Sequence, residues 1–236
     1  MTRYATSDIH GNHAALKQVL AKAKFDNEED TLIVIGDVCD GYGYTYEVVE
    51  QLLKIKNLHF LLGNHDVWFM NNIDSGWAER IWTSQGGSET IKSYERHGYA
   101  YNKIPQTHRD FFNSAKYWFE IDQMLFVHGG FDYPKVSHPA DDDPQNLIWD
   151  RTFIERAKNG LKVREWNKVF VGHTTTEADK KNPAEPNIFN FYKDSATIFQ
   201  IDCGAGWKGR LCLIDIDTEE YVLSDYAREL NKEQRR

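Results

Sequence analysis

The sequence predicts an α/β domain built around a parallel β-sheet. Apolar runs of strand length begin at residues 3, 31 and 58, and two segments with helical spacing of apolar residues lie between them. Such strand–helix–strand alternation is typical of parallel strands joined by right-handed crossovers. Each strand is also followed by glycine or serine and then by a polar cluster. Open α/β sheets bind ligands at this end of their strands, so the pattern indicates where a site lies.

The individual elements follow from local periodicity and from apolar runs bounded by turn residues. Short buried runs predict strands, and apolar residues recurring every three or four positions predict helices. The predicted strands are 3–6, 31–34, 58–62, 124–127, 168–171, 198–201 and 211–214, and the predicted helices are 14–23, about 45–55 and one near 150–159.

The segment 67–120 interrupts this alternation. It lacks a strong strand signal, is rich in aromatic residues and contains helix-like stretches at 89–96 and 107–115. Thr107 to Asp110 comes close to a capping box, which predicts that the second helix begins there. We therefore expect a helical insertion at about 67–120 that covers one side of the sheet.

Length and composition predict one domain over 1–225, followed by a charged, exposed C-terminal tail at 226–236. The net charge of −8 gives no general attraction for nucleic acid or an anionic membrane. No apolar run is long enough to span a bilayer, and the first strand starts too early for a signal peptide. We therefore expect a cytoplasmic protein. A phosphate substrate would need local cations, which metal ions can supply.

The polar clusters after the strands offer carboxylate, amide and imidazole donors and no thiolate. Such a set suits manganese, iron, zinc or similar ions rather than a structural zinc. If two ions are bound, a carboxylate can bridge them, and Asp37 is the natural candidate. Asp8 and His10 would reach one ion together if their segment is extended, because alternate side chains then share a side. The candidate ligands are Asp8, His10, Asp37, Asn64, His128 and His173.

His65 is a candidate general acid. It adjoins Asn64 but points elsewhere if the segment is extended, so it could protonate a leaving alkoxide. A carboxylate is needed to hold its tautomer, and Asp40, three residues after Asp37, is the plausible partner.

Other features receive structural interpretations. Asp202 is interpreted as holding a loop, the aspartates at 141–143 as a solvated loop, and Trp68 and Trp82 as packing residues. The long loops at 132–147 and 174–196 are expected to serve as lids or selectivity elements.

The ordered motifs of the chain resemble those of the calcineurin-like metallophosphoesterase superfamily. The chain most resembles the phosphoprotein-phosphatase branch, which includes small bacterial and phage serine/threonine phosphatases and symmetrical diadenosine tetraphosphate hydrolases. The absence of a second histidine after Gly172-His173 and the closing segment 201–211 favour this branch. The motifs are Asp8-Ile9-His10-Gly11, Gly36-Asp37-Val38-Cys39-Asp40, Gly63-Asn64-His65-Asp66, His128-Gly129-Gly130, Leu147-Ile148-Trp149-Asp150-Arg151 and Gly172-His173.

The resemblance implies a two-sheet α/β/β/α sandwich with two divalent metal ions, most simply manganese, with iron, zinc or nickel as alternatives. It implies that Asp8 and His10 bind the first ion, that Asp37 bridges, and that Asn64, His128 and His173 bind the second. It further implies that His65 and Asp40 form the acid pair and that Arg151 contacts the substrate phosphate.

The chain departs from the family pattern at Gly41. The branch usually has arginine there, directly after the second aspartate, and that arginine holds phosphate. Tyr42 follows and is a candidate substrate contact, although a tyrosine gives only one neutral hydrogen bond where arginine gives two charged ones. Lys208 is a candidate replacement for the lost cation.

We expect hydrolysis of phosphomonoesters by a metal-bound hydroxide, with phosphoserine or phosphothreonine in proteins as the first substrate class. The alternative is a nucleotide hydrolase that cleaves diadenosine tetraphosphate or a related anhydride. A non-catalytic metal-binding module is less favoured because no expected ligand or acid is missing. Expected partners are thus a phosphorylated protein or a nucleotide, without nucleic acid or membrane; the oligomeric state is left open.

Overall fold

Two five-stranded sheets pack face to face in the computed structural model, which describes residues 1–176 and 184–232. The strands are β1 (Arg3–Thr6), β2 (Thr31–Ile35), β3 (Asn57–Leu61), β4 (Trp118–Ile121), β5 (Met124–Val127), β6 (Lys168–Val171), β7 (Asn187–Phe189), β8 (Thr197–Gln200), β9 (Cys212–Asp215) and β10 (Tyr221–Leu223). The helices are α1 (His13–Ala23), α2 (Thr45–Leu52), α3 (Asn64–Ser75), α4 (Arg80–Trp82), α5 (Ser88–Arg96), α6 (Gln106–Asn113), α7 (Pro144–Trp149), α8 (Thr152–Lys158) and α9 (Ala227–Leu230).

Each sheet has a parallel centre with antiparallel edges. The first sheet has the order β10-β9-β1-β2-β3, in which β1, β2 and β3 are parallel. The second has the order β4-β5-β6-β8-β7, in which β5, β6 and β8 are parallel. Strands β9 and β10 in the first sheet, and β4 and β7 in the second, pair antiparallel. The predicted parallel core is therefore confirmed.

The inner faces of the two sheets share one apolar core. Ala5 and Ile33 of the first sheet belong to the same buried cluster as the aromatic residues of the second. The rings of Phe126, Phe170 and Phe199 stack in series, with centroids 4.9 and 4.5 Å apart. Stacked rings of this kind bury a large apolar area in the space between the sheets.

Helices cover the outer face of each sheet. Side chains of α1, α2 and the insertion join the outer side chains of the first sheet in a second cluster. Phe153 and Ile154 of α8 join Val127 and Val169 of the second sheet in a third. The α/β/β/α sandwich is therefore confirmed.

The insertion is helical and covers the first sheet, as predicted, but two of its details were wrong. Helix α6 begins at Gln106 after Pro105, and no side chain caps it, so Thr107 does not start a capping box. Residues 118–121 form β4, which pairs with β5. Glu120 is the one polar and exposed residue of this strand, and its other three residues are apolar. The sequence therefore lacks the apolar/polar alternation that predicts a half-buried strand.

Further short elements were not predicted, among them β7, β10 and α7. Strands β7 and β10 have three residues each, too few for a periodic signal, and β7 lies within the predicted loop 174–196. Helix α7 lies at the end of the predicted loop 132–147 and begins with proline at its first turn. The part of the loop at 177–183, which includes Pro183, lies outside the described residues.

The start of the predicted tail packs on the domain. Ala227 of α9 is buried, and Asn231 Nδ2 donates to Asn12 Oδ1 over 3.0 Å. Residues 233–236 lie outside the described part of the chain. Within the described ranges, no helix combines the length and the apolar character needed to cross a membrane.

Candidate active site

Loops at the carboxyl ends of five strands bring most of the predicted residues together. Asp8 and Asp37 follow β1 and β2, and Asn64 opens α3 three residues after the end of β3. His128 and His173 follow β5 and β6 of the other sheet. Parallel strands present these ends at one edge, so five strands from the two sheets contribute one cluster of donors.

Five of these residues have left-handed backbone conformations. Asp8, His10, Asp37, Asp40 and His173 have φ between 49° and 68°. The Asp8–His10 pair is therefore not held on one side of an extended segment, and that prediction was wrong. A turn brings the two together instead, with His10 Nε2 3.9 Å from Asp8 Oδ1. Likewise, Asn64 and His65 lie in the first turn of α3 rather than in an extended segment.

Backbone carbonyls orient two of the histidines. His10 Nδ1 donates to the carbonyl of Cys39 over 3.0 Å, and His128 Nδ1 donates to that of Ile35 over 2.8 Å. Each Nε2 then faces Asp37 Oδ2, at 3.6 Å for His10 and 3.3 Å for His128. Ligating histidines typically have their second nitrogen held in this way.

Asp37 belongs to two groups of candidate metal ligands. In one it joins His10 and His65, and in the other His128 and His173, with all ligand atoms of a group within 4.8 Å of one another. A carboxylate shared by two groups fits the predicted bridging role. The resemblance implied Asp8, His10 and Asp37 as ligands of the first ion, whereas the first group contains His65 in place of Asp8. Because Asp8 also lies near His10, more donors surround this position than expected.

The second group also has features that a cation would satisfy. His173 Nε2 is buried and has no hydrogen-bond partner among the described residues. Asn64 Oδ1 lies 3.3 Å from His128 Nε2, so the amide oxygen reaches the same place. Buried polar atoms are normally paired, and this donor set fits divalent ions.

Charges in the cluster set its proton content. Burial lowers the pKa of His10 to about 4 and that of His173 to about 2. Burial also opposes protonation of His128, but the charge of Asp37 and a hydrogen bond to it outweigh burial and raise that pKa to about 10. In turn, His128 and His65 hold the pKa of Asp37 well below its usual range despite burial. Without ions, a proton on His128 therefore takes the place of a cation.

The predicted acid pair is in contact. His65 Nδ1 lies 2.8 Å from Asp40 Oδ2, and Asp40 is fully buried. Trp82 Nε1 donates to both Asp40 oxygens, at 3.1 and 3.0 Å, and Thr90 Oγ1 donates to Oδ1 at 2.8 Å. The packing role predicted for Trp82 was thus incomplete. These two donors lie 42 and 50 residues from Asp40, beyond any local sequence signal.

Asp66 connects the two loops that carry Asp37 and Asn64. Its buried carboxylate accepts hydrogen bonds from the backbone N–H groups of Asp37 (2.7 Å), Val38 (3.0 Å), Cys39 (3.2 Å) and Gly63 (2.9 Å). Sequence reasoning gave Asp66 no role. An acidic residue three positions after Gly63, at the start of α3, was the available signal, because such residues accept from free N–H groups there.

Gly41 occupies the position at which the branch usually has arginine, and its backbone conformation favours glycine. Gly41 has φ of 86°, and a Cβ there would lie 2.9 Å from His10 Cβ. The backbone at this position therefore fits glycine and disfavours any side chain.

The predicted phosphate-binding residues differ in their positions. Arg151 Nη1 donates to the carbonyl of His173 over 2.9 Å, which places the guanidinium beside the ligand cluster. Tyr42 is 4% exposed and its hydroxyl donates to the carbonyl of Trp207 over 2.7 Å, so the structure does not support it as a substrate contact. Lys208 Nζ lies 5.3 Å from the ring centroid of Trp207. Asp202 accepts from Gly204 N–H over 2.9 Å and holds its loop, as predicted.

Comparison with known sequences supports the resemblance seen in the motifs. Residues 1–199 match the sequence profile of the family described as calcineurin-like phosphoesterase. A symmetrical bis(5'-nucleosyl)-tetraphosphatase of Hamiltonella defensa subsp. Acyrthosiphon pisum (strain 5AT) is 38% identical over 68 residues. That match covers 28% of this chain and 25% of the relative.

Comparison with solved structures gives matches over most of the chain. The crystal structure of a candidate diadenosine tetraphosphatase matches with a TM-score of 0.64 and 17% identity, covering 94% of this chain and 91% of that one. A cold-active protein tyrosine phosphatase matches with a TM-score of 0.60 and 17% identity, covering 94% and 78%. At these identities the likeness shows a common fold.

Proposed function

We propose that this chain, which belongs to the calcineurin-like phosphoesterase family, hydrolyses phosphomonoesters at a centre of two divalent metal ions. The observation that carries this proposal is the Asp37 carboxylate, which belongs to both groups of donor atoms, with the His65–Asp40 pair beside it.

The six predicted ligands would hold the ions. Asp8 and His10 would bind one ion, Asn64, His128 and His173 the other, and Asp37 both. Bound ions of this kind supply a water of lowered pKa as the nucleophile and offset the charge of the phosphate. Manganese is the first ion to test, followed by iron, zinc and nickel.

His65 would deliver the proton to the leaving oxygen. Its Nδ1 donates to Asp40, so Nε2 is the atom that holds the transferable proton. Burial lowers the pKa of His65, but the charge of Asp37 and the hydrogen bond to Asp40 outweigh it and raise the pKa to about 9. Without ions, the imidazole is therefore charged at neutral pH. With ions bound to Asp37, the hydrogen bond to Asp40 would be the contact that favours the charged form a general acid requires.

Arg151 would hold the substrate. One of its nitrogens is fixed by the carbonyl of His173, which positions the guanidinium at the edge of the ligand cluster. Its remaining donors would bind a phosphate oxygen, and two parallel bonds to an anion are stronger than one. With glycine at position 41, Arg151 is the arginine of the predicted clamp that this chain retains.

Phosphorylated proteins are the first proposed substrate class. Dinucleoside tetraphosphates are the second, because the 38% identity over 68 residues is to a symmetrical bis(5'-nucleosyl)-tetraphosphatase. A cytoplasmic location stays a prediction.

The first experiment is hydrolysis of p-nitrophenyl phosphate by metal-stripped protein, with manganese, nickel, zinc or magnesium restored separately. Asp37→Asn and His65→Ala are measured in parallel. Turnover that is restored by metal, abolished by Asp37→Asn and lowered by His65→Ala would support the proposal. Bound ions without turnover on esters or dinucleotides would favour the non-catalytic alternative, and full activity in both variants would contradict the assigned roles.

A further inference from the structure

Two indole rings lie together beside the candidate acid and one candidate ligand. The ring of Trp68 meets that of Trp149 edge-on, with centroids 5.1 Å apart. Trp68 lies 5.2 Å from the ring of His65, and Trp149 lies 5.8 Å from the ring of His173. Trp149 is 39% exposed, so part of this Trp68–Trp149 pair is accessible to solvent beside the candidate site.

Local structure explains why these rings adjoin the reacting centre. Trp68 follows Asn64 and His65 by one turn of α3, and residues three and four apart share a helix face. Trp149 ends α7, two residues before Arg151, whose guanidinium contacts the carbonyl of His173. The segment 149–151 therefore delivers an aromatic ring and a phosphate-binding cation to the same side of the cluster.

We infer that the active site selects phosphate compounds whose leaving group carries a planar aromatic ring, which packs on Trp149. The inference rests on the proposed function, because His65 as the acid sets the position of the leaving oxygen. Trp68 adjoins His65 and Trp149 adjoins Trp68, so a leaving group protonated by His65 would lie near the exposed ring of Trp149. Rings packed on tryptophan gain stabilisation that an alkyl group does not provide.

This inference changes the expected substrate. Phosphoserine and phosphothreonine, the class predicted from the sequence, offer only small alkyl leaving groups. The required ring can come from a phosphotyrosine side chain or from the base of a nucleotide, and matched substrates distinguish these two sources.

The test compares the wild-type protein with Trp149→Ala, Trp149→Phe and Trp77→Ala on four substrates. Trp77 is 72% exposed between α3 and α4 and serves as the matched control. The substrates are one peptide carrying either phosphotyrosine or phosphoserine, diadenosine tetraphosphate, and inorganic tripolyphosphate.

For Trp149→Ala we expect KM to rise about tenfold on the ring-bearing substrate that the enzyme uses, either the phosphotyrosine peptide or diadenosine tetraphosphate. We expect kcat to stay unchanged, because stacking contributes equally to bound substrate and transition state. Phosphoserine peptide and tripolyphosphate should change less than twofold, Trp149→Phe should keep most of the affinity, and Trp77→Ala should behave as wild type. An equal change on all four substrates would reduce Trp149 to a support for His173, and no change on any would also overturn the inference.

A binding measurement separates this inference from the proposed function. Calorimetry on the metal-loaded protein with phenylphosphonate and methylphosphonate, which are not hydrolysed, should show that Trp149→Ala weakens only the phenyl compound. If turnover is absent on every substrate, the proposed function fails. The ratio of the affinities for phenylphosphonate and methylphosphonate then still decides whether the site prefers a ring. Equal weakening of both phosphonates would contradict the inference.

Discussion

Two buried carboxylates three residues apart are satisfied in different ways. Asp40 lies in an acid-side group with His65, Trp82 and Thr90, whose N–H and O–H groups all donate to it. Asp37 lies in a metal-side group with His10, His128 and His173, in which His173 Nε2 has no partner within the described ranges. The acid side is complete as protein alone, whereas the metal side has donor atoms arranged for cations. Four substitutions or conditions can break or sharpen this contrast.

The largest effect is expected for Asp37→Asn. It removes the charge that both donor groups share, so binding of both ions should weaken, and kcat/KM should fall by about 10³-fold or more. Calorimetric metal titration together with steady-state kinetics measures both. An unchanged number of bound ions with the same affinities would remove Asp37 from the bridging role.

His65→Ala should impair the acid-side group while leaving metal binding by the metal-side group intact. Loss of a general acid lowers kcat by about 10²- to 10⁴-fold, while both ions should still bind because each group retains its other donors. The loss should be smaller on p-nitrophenyl phosphate than on an alkyl phosphate, since p-nitrophenolate leaves readily without a proton. If the variant binds only one ion, His65 is a ligand, as its place beside His10 and Asp37 would allow.

The metal side should also show a dependence on pH. In stripped protein the charge of Asp37 outweighs burial and raises the pKa of His128 to about 10, so metal must displace a proton there. Affinity should therefore rise about tenfold per pH unit between about pH 7 and 9. Burial also raises the pKa of the ligand Asp8 well above its usual range, so metal can displace a proton there too. Calorimetry in two buffers of different ionisation enthalpy should detect this proton release, and His128→Ala should reduce it by about one proton.

The same raised pKa affects the stability of stripped protein. The contribution of the His128–Asp37 contact is fully present below the unfolded pKa of about 6.5, and it is lost as pH rises through about 10. Metal-loaded protein, in which the proton is already displaced, should lack this loss.

The smallest effect is expected for Trp82→Phe. It keeps an aromatic ring but removes the N–H that donates to both Asp40 oxygens, so Asp40 should hold charged His65 less well. A hydrogen bond to a charged group is worth about 1.5–3 kcal/mol, and only part of that energy acts on His65 through Asp40. We therefore expect kcat to fall about fivefold, with metal affinity unchanged. Trp77→Phe is the control. Equal kinetics in the two variants would limit Trp82 to packing.

The contrast also marks how far sequence reasoning reached. Asp8, Asp37 and Asn64 were found because each follows a buried apolar run, a local signal that also predicted the strands. Trp82 and Thr90 could not be found, because their contacts with Asp40 depend on how the insertion packs over the first sheet. The edge strands β7 and β10 were missed because three residues carry no period.

Backbone conformation was the other limit. Residue types gave no sign that Asp8, His10 and His173 adopt left-handed turns, and the extended segment assumed for Asp8 and His10 was wrong. The convergence of the side chains was nevertheless predicted, because it depends on the strand ends rather than on the turns.

The five left-handed residues of the site also make the lifetime of the protein in the cell depend on the availability of ions. Non-glycine residues in this conformation cost of order 1 kcal/mol or more each, so the stripped chain carries a penalty concentrated in one place. Each ion that binds only the native chain returns about 2.7 kcal/mol at a free concentration 100 times its Kd. Newly made chains in a cell short of these ions would therefore be degraded faster, and the amount of protein would follow the metal supply.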